Sequence, residues 1–170
     1  MPKDAHSECR KRYNVGTWNV RTMGPRGKLE NVKREMRRAN INILGMSEVR
    51  WKGMGDFTSD EYRVIHSGGE KEQRGMAVMF DKMFSDRGIK VVQQSDRLIL
   101  VRIKADPVDL KVVQVYMPTS DAEDEEIAIV YEQIEEMVKK EKATHQVIIL
   151  GDWNAVVGEG KDGKEVESLA

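Results

Sequence analysis

The sequence predicts a layered α/β sandwich, in which apolar strands pack against one another and helices cover them. Eight short apolar runs, each bounded by turn residues, have the length and pattern of strands. Two longer segments repeat apolar residues every three or four positions, as an amphipathic helix does. Strands with helices between some of them are typical of the α/β layered class.

The strands follow from these runs and from the turn signals that separate them, such as Gly68-Gly69 and Asp106-Pro107. The predicted strands are Tyr13–Trp18, Ile41–Met46, Arg63–Ser67, Met76–Phe80, Ile89–Gln93, Leu98–Ile103, Leu110–Tyr116 and Gln146–Leu150. Because no long helical pattern interrupts the segment 64–117, its strands are predicted to form one antiparallel meander.

The first helix is predicted over Lys28–Arg38, and one of its faces is basic. Residues 1–40 contain 11 Lys and Arg against 4 Asp and Glu, whereas the whole chain has a net charge of −1. Such asymmetry can mark a nucleic-acid-binding face, while charge alone favours an ordinary solvated helix face. The candidate contacts on the basic face are Lys33, Arg34, Arg37 and Arg38.

The second helix is predicted over Asp121–Lys142, where Ser120 and Glu123 fit a capping box. Its apolar stripe consists of Ile127, Val130, Ile134, Met137 and Val138. The segment 1–12 is predicted to be flexible and basic. The Gly- and charge-rich segment 159–170 has little to bury and is predicted to be disordered or foreign to the domain.

Composition favours a well-solvated domain over a membrane protein. The chain of 170 residues suits one domain and is 39% hydrophobic and 34% charged. No apolar run approaches the roughly 20 residues that a membrane helix needs, and the polar start has no secretory signal. Cys9 is the only cysteine, so no intrachain disulfide can form. We therefore expect a nuclear or cytoplasmic location.

Polar side chains follow the ends of several apolar strands. Asn19, Glu48, Tyr116, Asp152 and Asn154 all occupy such positions. Strands packed side by side would bring them to one rim, where carboxylates, amides and a phenol suit a hard cation and a phosphate. Each residue also has a structural alternative, since Asn commonly satisfies loop backbone and the acids can form ordinary ion pairs or caps.

Five sequence words occur in the order of a known family. They are Val15-Gly-Thr-Trp-Asn-Val20, Gly45-Met-Ser-Glu-Val-Arg-Trp51, Arg74-Gly-Met-Ala-Val-Met-Phe80, Gln114-Val-Tyr-Met-Pro-Thr119 and Ile148-Ile-Leu-Gly-Asp-Trp-Asn154. This series, over residues 13–158, resembles the endonuclease/exonuclease/phosphatase superfamily. Within it, the words are most similar to the apurinic/apyrimidinic-type endonuclease domain of non-LTR retrotransposons and to the craniofacial development protein 2-like host proteins.

The resemblance implies an α/β/β/α sandwich of the deoxyribonuclease type and a role for each rim residue. Glu48 matches the glutamate that ligates Mg²⁺, for which Mn²⁺ can substitute. Asp152 matches the aspartate that orients or deprotonates the attacking water, and Asn154 the asparagine that positions the transition state. Tyr116 matches a tyrosine that contacts the scissile phosphate, and Asn19 an asparagine that shapes the metal and phosphate site.

Two departures from the family pattern change what is expected of this chain. Arg21 stands where DNA-repair members often carry Asp, which favours the retrotransposon branch. No Ser-Asp-His motif follows Gly158, and His6, His66 and His145 are the only histidines, which we interpret as structural or surface residues. We therefore expect a fold that is incomplete at its C-terminus, with little nuclease activity by itself.

Three functions remain open from the sequence. The first is a Mg²⁺-dependent endonuclease-type domain of retroelement descent, which binds DNA or another phosphodiester weakly. The second is a noncatalytic remnant of the fold that binds nucleic acid or protein, with a protein partner covering the incomplete sheet. The third is a phosphatase or phospholipase of the same superfamily.

Overall fold

The computed structural model describes residues 12–70, 74–119, 122–139 and 145–154. Most of the predicted basic N-terminus, all of the predicted tail and the capping residue Ser120 lie outside these ranges. Two β-sheets pack face to face, and helices cover their outer surfaces. No helix in the described ranges is both long enough and apolar enough to cross a membrane.

Among the residues that the structure describes, the first sheet has five strands in the order β1-β2-β5-β4-β3. Its strands are β1 (Val15–Asn19), β2 (Ile43–Ser47), β3 (Met54–Ser59), β4 (Tyr62–Ser67) and β5 (Met76–Phe80), and helix α1 (Lys28–Arg38) connects β1 to β2. β1 and β2 are parallel because α1 crosses over between them, and the other pairs are antiparallel. Strand β3 was not predicted, since it is an edge strand with mostly exposed residues and shows no apolar alternation.

Within the described ranges, the second sheet has four strands in the order β6-β7-β8-β9. Its strands are β6 (Ile89–Gln94), β7 (Leu98–Ile103), β8 (Asp109–Tyr116) and β9 (His145–Asp152), and helix α3 (Asp124–Lys139) connects β8 to β9. β8 and β9 are parallel, with α3 as the crossover. The short helix α2 (Lys82–Ser85), which was not predicted, lies between β5 and β6.

The prediction of one continuous meander was wrong. β4 and β5 belong to the first sheet, whereas β6, β7 and β8 form the second. The physical reason is that both groups of strands have an apolar face, and stacking these faces buries them against each other. Alternation along each strand shows that a face is apolar, but not which sheet the strand joins.

Three apolar clusters of described residues fill the layers. One lies between the sheets and contains Ile43, Ile65, Phe80, Ile99 and Val112 among others. In the second cluster, Val32 and Met36 of α1 pack on the outer face of the first sheet. In the third, Val130 and Ile134 of α3 pack on the outer face of the second sheet. The chain therefore has the predicted α/β/β/α order of layers.

Edge strands of the two sheets lie against each other, and this contact positions the rim. β1 contacts β9, and within the described ranges each is hydrogen-bonded to a strand on one side only. Val147 and Ile149 of β9 are exposed; a protein partner for this surface stays a prediction. Because the strands of each parallel pair end at the same edge, β1 and β2 end close to where β8 and β9 end.

Candidate functional site

Three side chains from the ends of three strands meet at this rim. The side-chain amide of Asn19 donates a hydrogen bond of 2.8 Å to Glu48 Oε1 and one of 3.2 Å to Asp152 Oδ2. Asn19 ends β1, Glu48 follows β2, and Asp152 ends β9. One amide group therefore connects two carboxylates that are 104 residues apart and belong to different sheets.

The other two predicted residues lie beside Asp152. Tyr116 is opposite Asp152 in the β8–β9 register and is largely buried, with the Arg97 guanidinium 5.8 Å from its ring centre. The Asn154 backbone N–H donates to Asp152 Oδ1 at 3.2 Å, and its side-chain amide donates to the Met117 carbonyl at 2.9 Å. The structure thus brings all five predicted rim residues into one neighbourhood.

Unusual backbone conformation is concentrated at this rim. Glu48 and Asn154 have φ values of 56° and 44°, in the left-handed region that non-glycine residues rarely occupy. Arg21 and Arg50, each two residues after a site residue, have φ values of 58° and 57°. Such conformations cost of order 1–3 kcal/mol each and persist only where the surrounding structure enforces them.

The two carboxylates fit a hard divalent cation that keeps several of its waters. Carboxylate oxygens at a partly exposed rim are the ligands that Mg²⁺ prefers, and Mg²⁺ is commonly bound by only one or two of them. Within the described ranges, no group of three or more acidic, histidine or cysteine side chains could hold a metal. A cation held by Glu48 and Asp152 would take its remaining ligands from water.

Beneath the rim lies a polar layer that sequence reasoning did not single out. Gln114 is fully buried, and neither atom of its side-chain amide has a hydrogen-bond partner among the described residues; the same holds for the Ser47 hydroxyl. Gly45 makes room for this amide, since a Cβ there would collide with Gln114 Oε1 and come within 3.1 Å of Leu150 Cβ. A glutamine between valines in an apolar strand was the available signal.

The predicted basic face of α1 requires a correction at Lys33. Its side chain is 1% exposed and donates hydrogen bonds to Asp60 at 2.6 Å and Glu30 at 2.7 Å. Burial opposes the charged form, yet these hydrogen bonds raise the pKa of Lys33. Lys33 therefore joins α1 to the β3–β4 turn and is not available to a ligand. The prediction missed this because helical spacing does not show that a long side chain can reach a partner outside the helix.

Arg34, Arg37 and Arg38 are exposed, as predicted, but they lie away from the rim. α1 runs back toward the start of β2, where the Ile41 backbone N–H donates to the Met36 carbonyl at 2.8 Å. Glu48 follows the other end of β2, and five strand residues span roughly 15 Å. The structure does not bring the basic face of α1 and the carboxylates together.

The two described histidines have neighbours other than the rim carboxylates. His66 in β4 packs edge-on against Trp51, with ring centres 5.1 Å apart, and burial lowers its pKa. His145 begins β9, at the end opposite Asp152. Both positions agree with the structural interpretation of these residues.

The sequence matches the model of the Endonuclease/Exonuclease/phosphatase family over residues 16–161. The chain belongs to this family. Craniofacial development protein 2 of Bos taurus is 42% identical over 151 residues, which cover 88% of this chain and 25% of the relative. Its counterpart in Tragulus javanicus is 40% identical, with 88% and 26% covered. The chain thus spans about a quarter of the length of these relatives.

Solved structures share the fold. The endonuclease domain of TRAS1, a telomere-specific non-LTR retrotransposon, superimposes with a TM-score of 0.61 at 17% identity, covering 85% of this chain and 60% of that one. TDP2 of D. rerio, complexed with a single-strand DNA product, gives 0.59 at 12% identity, with 85% and 61% covered. The family match and the relatives confirm the resemblance, and these structures confirm the layered fold that the sequence predicted.

Proposed function

We propose that this chain is a phosphodiester-cleaving domain of the nuclease type that depends on a divalent metal and acts on DNA. The observation that carries the proposal is the Asn19 amide, which holds Glu48 and Asp152 together where the two sheets meet. Family membership supports this class of reaction. The likeness to a retrotransposon endonuclease and to a protein complexed with DNA supports DNA as the substrate and retroelement descent.

The two carboxylates take different roles in this proposal. Glu48 would hold Mg²⁺ or Mn²⁺, and the bound cation would stabilise charge on the nonbridging phosphate oxygens. Asp152 receives hydrogen bonds from Asn19 and from the Asn154 backbone, which fix the direction of its carboxylate. A fixed carboxylate beside a cation site can orient and deprotonate a water for attack on phosphorus.

The remaining rim residues supply donors and shape. We assign to the Tyr116 hydroxyl a contact with the scissile phosphate, because Tyr116 is the register partner of Asp152 in β8. The Asn154 amide, fixed to the Met117 carbonyl, supports placement of the transition state beside Asp152. The two described histidines have other positions: His66 packs against Trp51, and His145 begins β9 at the end opposite Asp152. Since one preorganised donor is worth on the order of 10²–10³ in rate, we expect slow cleavage.

The test combines metal binding with cleavage by the purified 170-residue chain. We expect calorimetry to show weak Mg²⁺ binding that Glu48→Gln removes, and a supercoiled plasmid to be nicked slowly in Mg²⁺ by wild type but not by that variant. Metal binding or nicking that is equal in the Glu48→Gln variant would refute the site. Metal binding without any nicking during long incubation would favour a noncatalytic binding domain.

A further inference from the structure

We propose that Arg21, Arg50 and Arg74 form a phosphate-binding rim that holds the nucleic-acid backbone beside the carboxylates, in place of the basic face of α1. This inference rests on the proposed function, because it assigns the substrate's path across that site. The three arginines lie in separate loops: Arg21 follows β1, Arg50 follows β2, and Arg74 precedes β5.

Hydrogen bonds place these loops around the carboxylates. The Arg21 backbone N–H donates to Asn19 Oδ1 at 3.0 Å, so Arg21 is held by the same side chain that joins the carboxylates. Arg50 Nη2 lies 3.5 Å from Glu48 Oε2. The Arg50 backbone N–H donates to the Arg74 carbonyl at 3.0 Å, which places Arg74 next to Arg50.

These guanidinium groups are available to a ligand. Arg21 and Arg74 are exposed and form no ion pair with any residue in the described ranges. Arg50 is 46% exposed, and its single contact with Glu48 is longer than a charge-assisted hydrogen bond. A phosphate can therefore displace that contact or share Arg50 with Glu48.

The balance of charge at the rim suits a polyanion. Three guanidinium groups accompany two carboxylates, and a divalent cation would add to the positive surplus. Arginine presents a planar fork of donors that matches phosphate oxygens in pairs, so it binds phosphates beyond the scissile one without reading the bases. Positive charge on three loops beside Asn19 and Glu48 would hold the backbone at more than one point.

The basic face of α1 is less suitable. Arg34 donates to Asn31 at 3.0 Å, and Arg38 donates to Glu35 at 2.7 Å, so two of its three exposed arginines already have partners on the helix. α1 covers the outer face of the first sheet, whereas the carboxylates lie where the two sheets meet. A backbone that crosses the site is therefore directed toward the loop arginines.

The test compares two triple variants that remove the same charge. Arg21→Ala/Arg50→Ala/Arg74→Ala is the rim variant, and Arg34→Ala/Arg37→Ala/Arg38→Ala is the matched control. Fluorescence anisotropy of a labelled DNA oligonucleotide is measured at several salt concentrations without divalent metal. We expect the rim variant to bind at least about tenfold more weakly and to lose up to about 2–3 from the slope of log affinity against log salt, because each phosphate contact contributes roughly 0.7–0.9. The control should keep affinity and slope near wild type.

Three outcomes would overturn the rim: equal weakening in both variants, greater weakening in the control, or wild-type affinity in the rim variant. Arg21→Lys/Arg50→Lys/Arg74→Lys keeps the charge and should restore most of the slope if the rim variant is folded, which circular dichroism checks. Glu48→Gln separates this inference from the proposed function. If Glu48→Gln leaves nicking unchanged while the rim variant loses DNA binding, the catalytic proposal fails and the arginine proposal stands. If Glu48→Gln abolishes nicking while the rim variant binds DNA as wild type does, only the arginine proposal fails.

Discussion

The two ends of β1 and β2 carry the same kinds of polar residue, but their hydrogen bonds go to different partners. Where the strands begin, Asn42 Oδ1 accepts from the Asn14 backbone N–H at 2.7 Å, and Asn42 Nδ2 donates to Asp81 at 2.6 Å. The Asn14 amide donates to the Asn40 carbonyl at 2.9 Å. Two of these three bonds satisfy backbone groups that the strand ladder leaves unpaired.

Where β1 and β2 end, the amide of Asn19 instead joins two carboxylates, Glu48 and Asp152. An ionised carboxylate offers about four acceptor positions, and the donors within the described ranges use only part of them. The comparison teaches that a polar residue after a strand does not by itself indicate a site. The destination of its hydrogen bonds separates a structural network at the start of the strands from a candidate site at their end.

The largest expected effect is the loss of catalysis in Glu48→Gln. The substitution keeps the shape of the side chain but removes the charge that a cation needs. We expect the nicking rate in Mg²⁺ to fall on the order of 10²–10³-fold or to background, while the midpoint of urea unfolding stays near wild type. If the fraction of unfolded protein in the variant accounted for the whole loss of nicking rate, Glu48 would be a structural residue.

The comparison of the two ends is sharpened by Asn42→Ala and Asn19→Ala. Asn42→Ala leaves the Asn14 N–H and Asp81 without a partner, so we expect it to lower the free energy of unfolding by about 1–3 kcal/mol with little change in rate per folded molecule. Asn19→Ala removes three hydrogen bonds that all lie in exposed positions, where water can replace them, so we expect a smaller loss of stability than in Asn42→Ala together with the loss of most nicking. Both variants are measured by urea unfolding and by the plasmid assay. An equal loss of stability in the two variants would contradict this contrast.

Between the two ends, Gly45 should tolerate no side chain. A Cβ there would push on the buried Gln114 amide and on Leu150. We expect Gly45→Ala to destabilise the protein by about 1–3 kcal/mol through overpacking. Gly45→Ala/Gln114→Ala tests the cause in urea unfolding, because removing the long amide should recover part of the loss. No recovery would show that strand β2 resists the substitution for another reason.

The smallest expected effect concerns the Lys33–Asp60 ion pair, which lies outside both networks. The hydrogen bond from Lys33 lowers the pKa of Asp60 below its usual value near 3.8. A lowered folded pKa stabilises the protein above the unfolded pKa, and this contribution is lost as pH falls through the folded value. Asp60→Asn should therefore reduce the loss of stability between about pH 5 and pH 2, as unfolding midpoints would show. An identical dependence of the unfolding midpoint on pH in wild type and in Asp60→Asn would refute this contribution of the Lys33–Asp60 pair.

The interior strands and α1 could be predicted from sequence because their side chains carry the periodic signal. α1 begins and ends at the predicted residues, since Val32 and Met36 repeat at helical spacing and face the sheet. Strand β3 and helix α2 could not be found this way. β3 is held by backbone pairing with β4 rather than by an apolar stripe, and α2 has only four residues.

The candidate site divides in the same way between local and distant information. The sequence by itself determined which residues stand at strand ends, because an apolar run followed by Asn19, Glu48 or Asp152 is a local pattern. Only the tertiary structure decided that these ends meet, because β1 and β9 belong to different sheets whose contact depends on the packing of the whole core. The tertiary structure also buried Lys33 against a distant turn and placed loop arginines beside the carboxylates. The sequence shows which residues are charged, but only the fold determines which charged residues are neighbours.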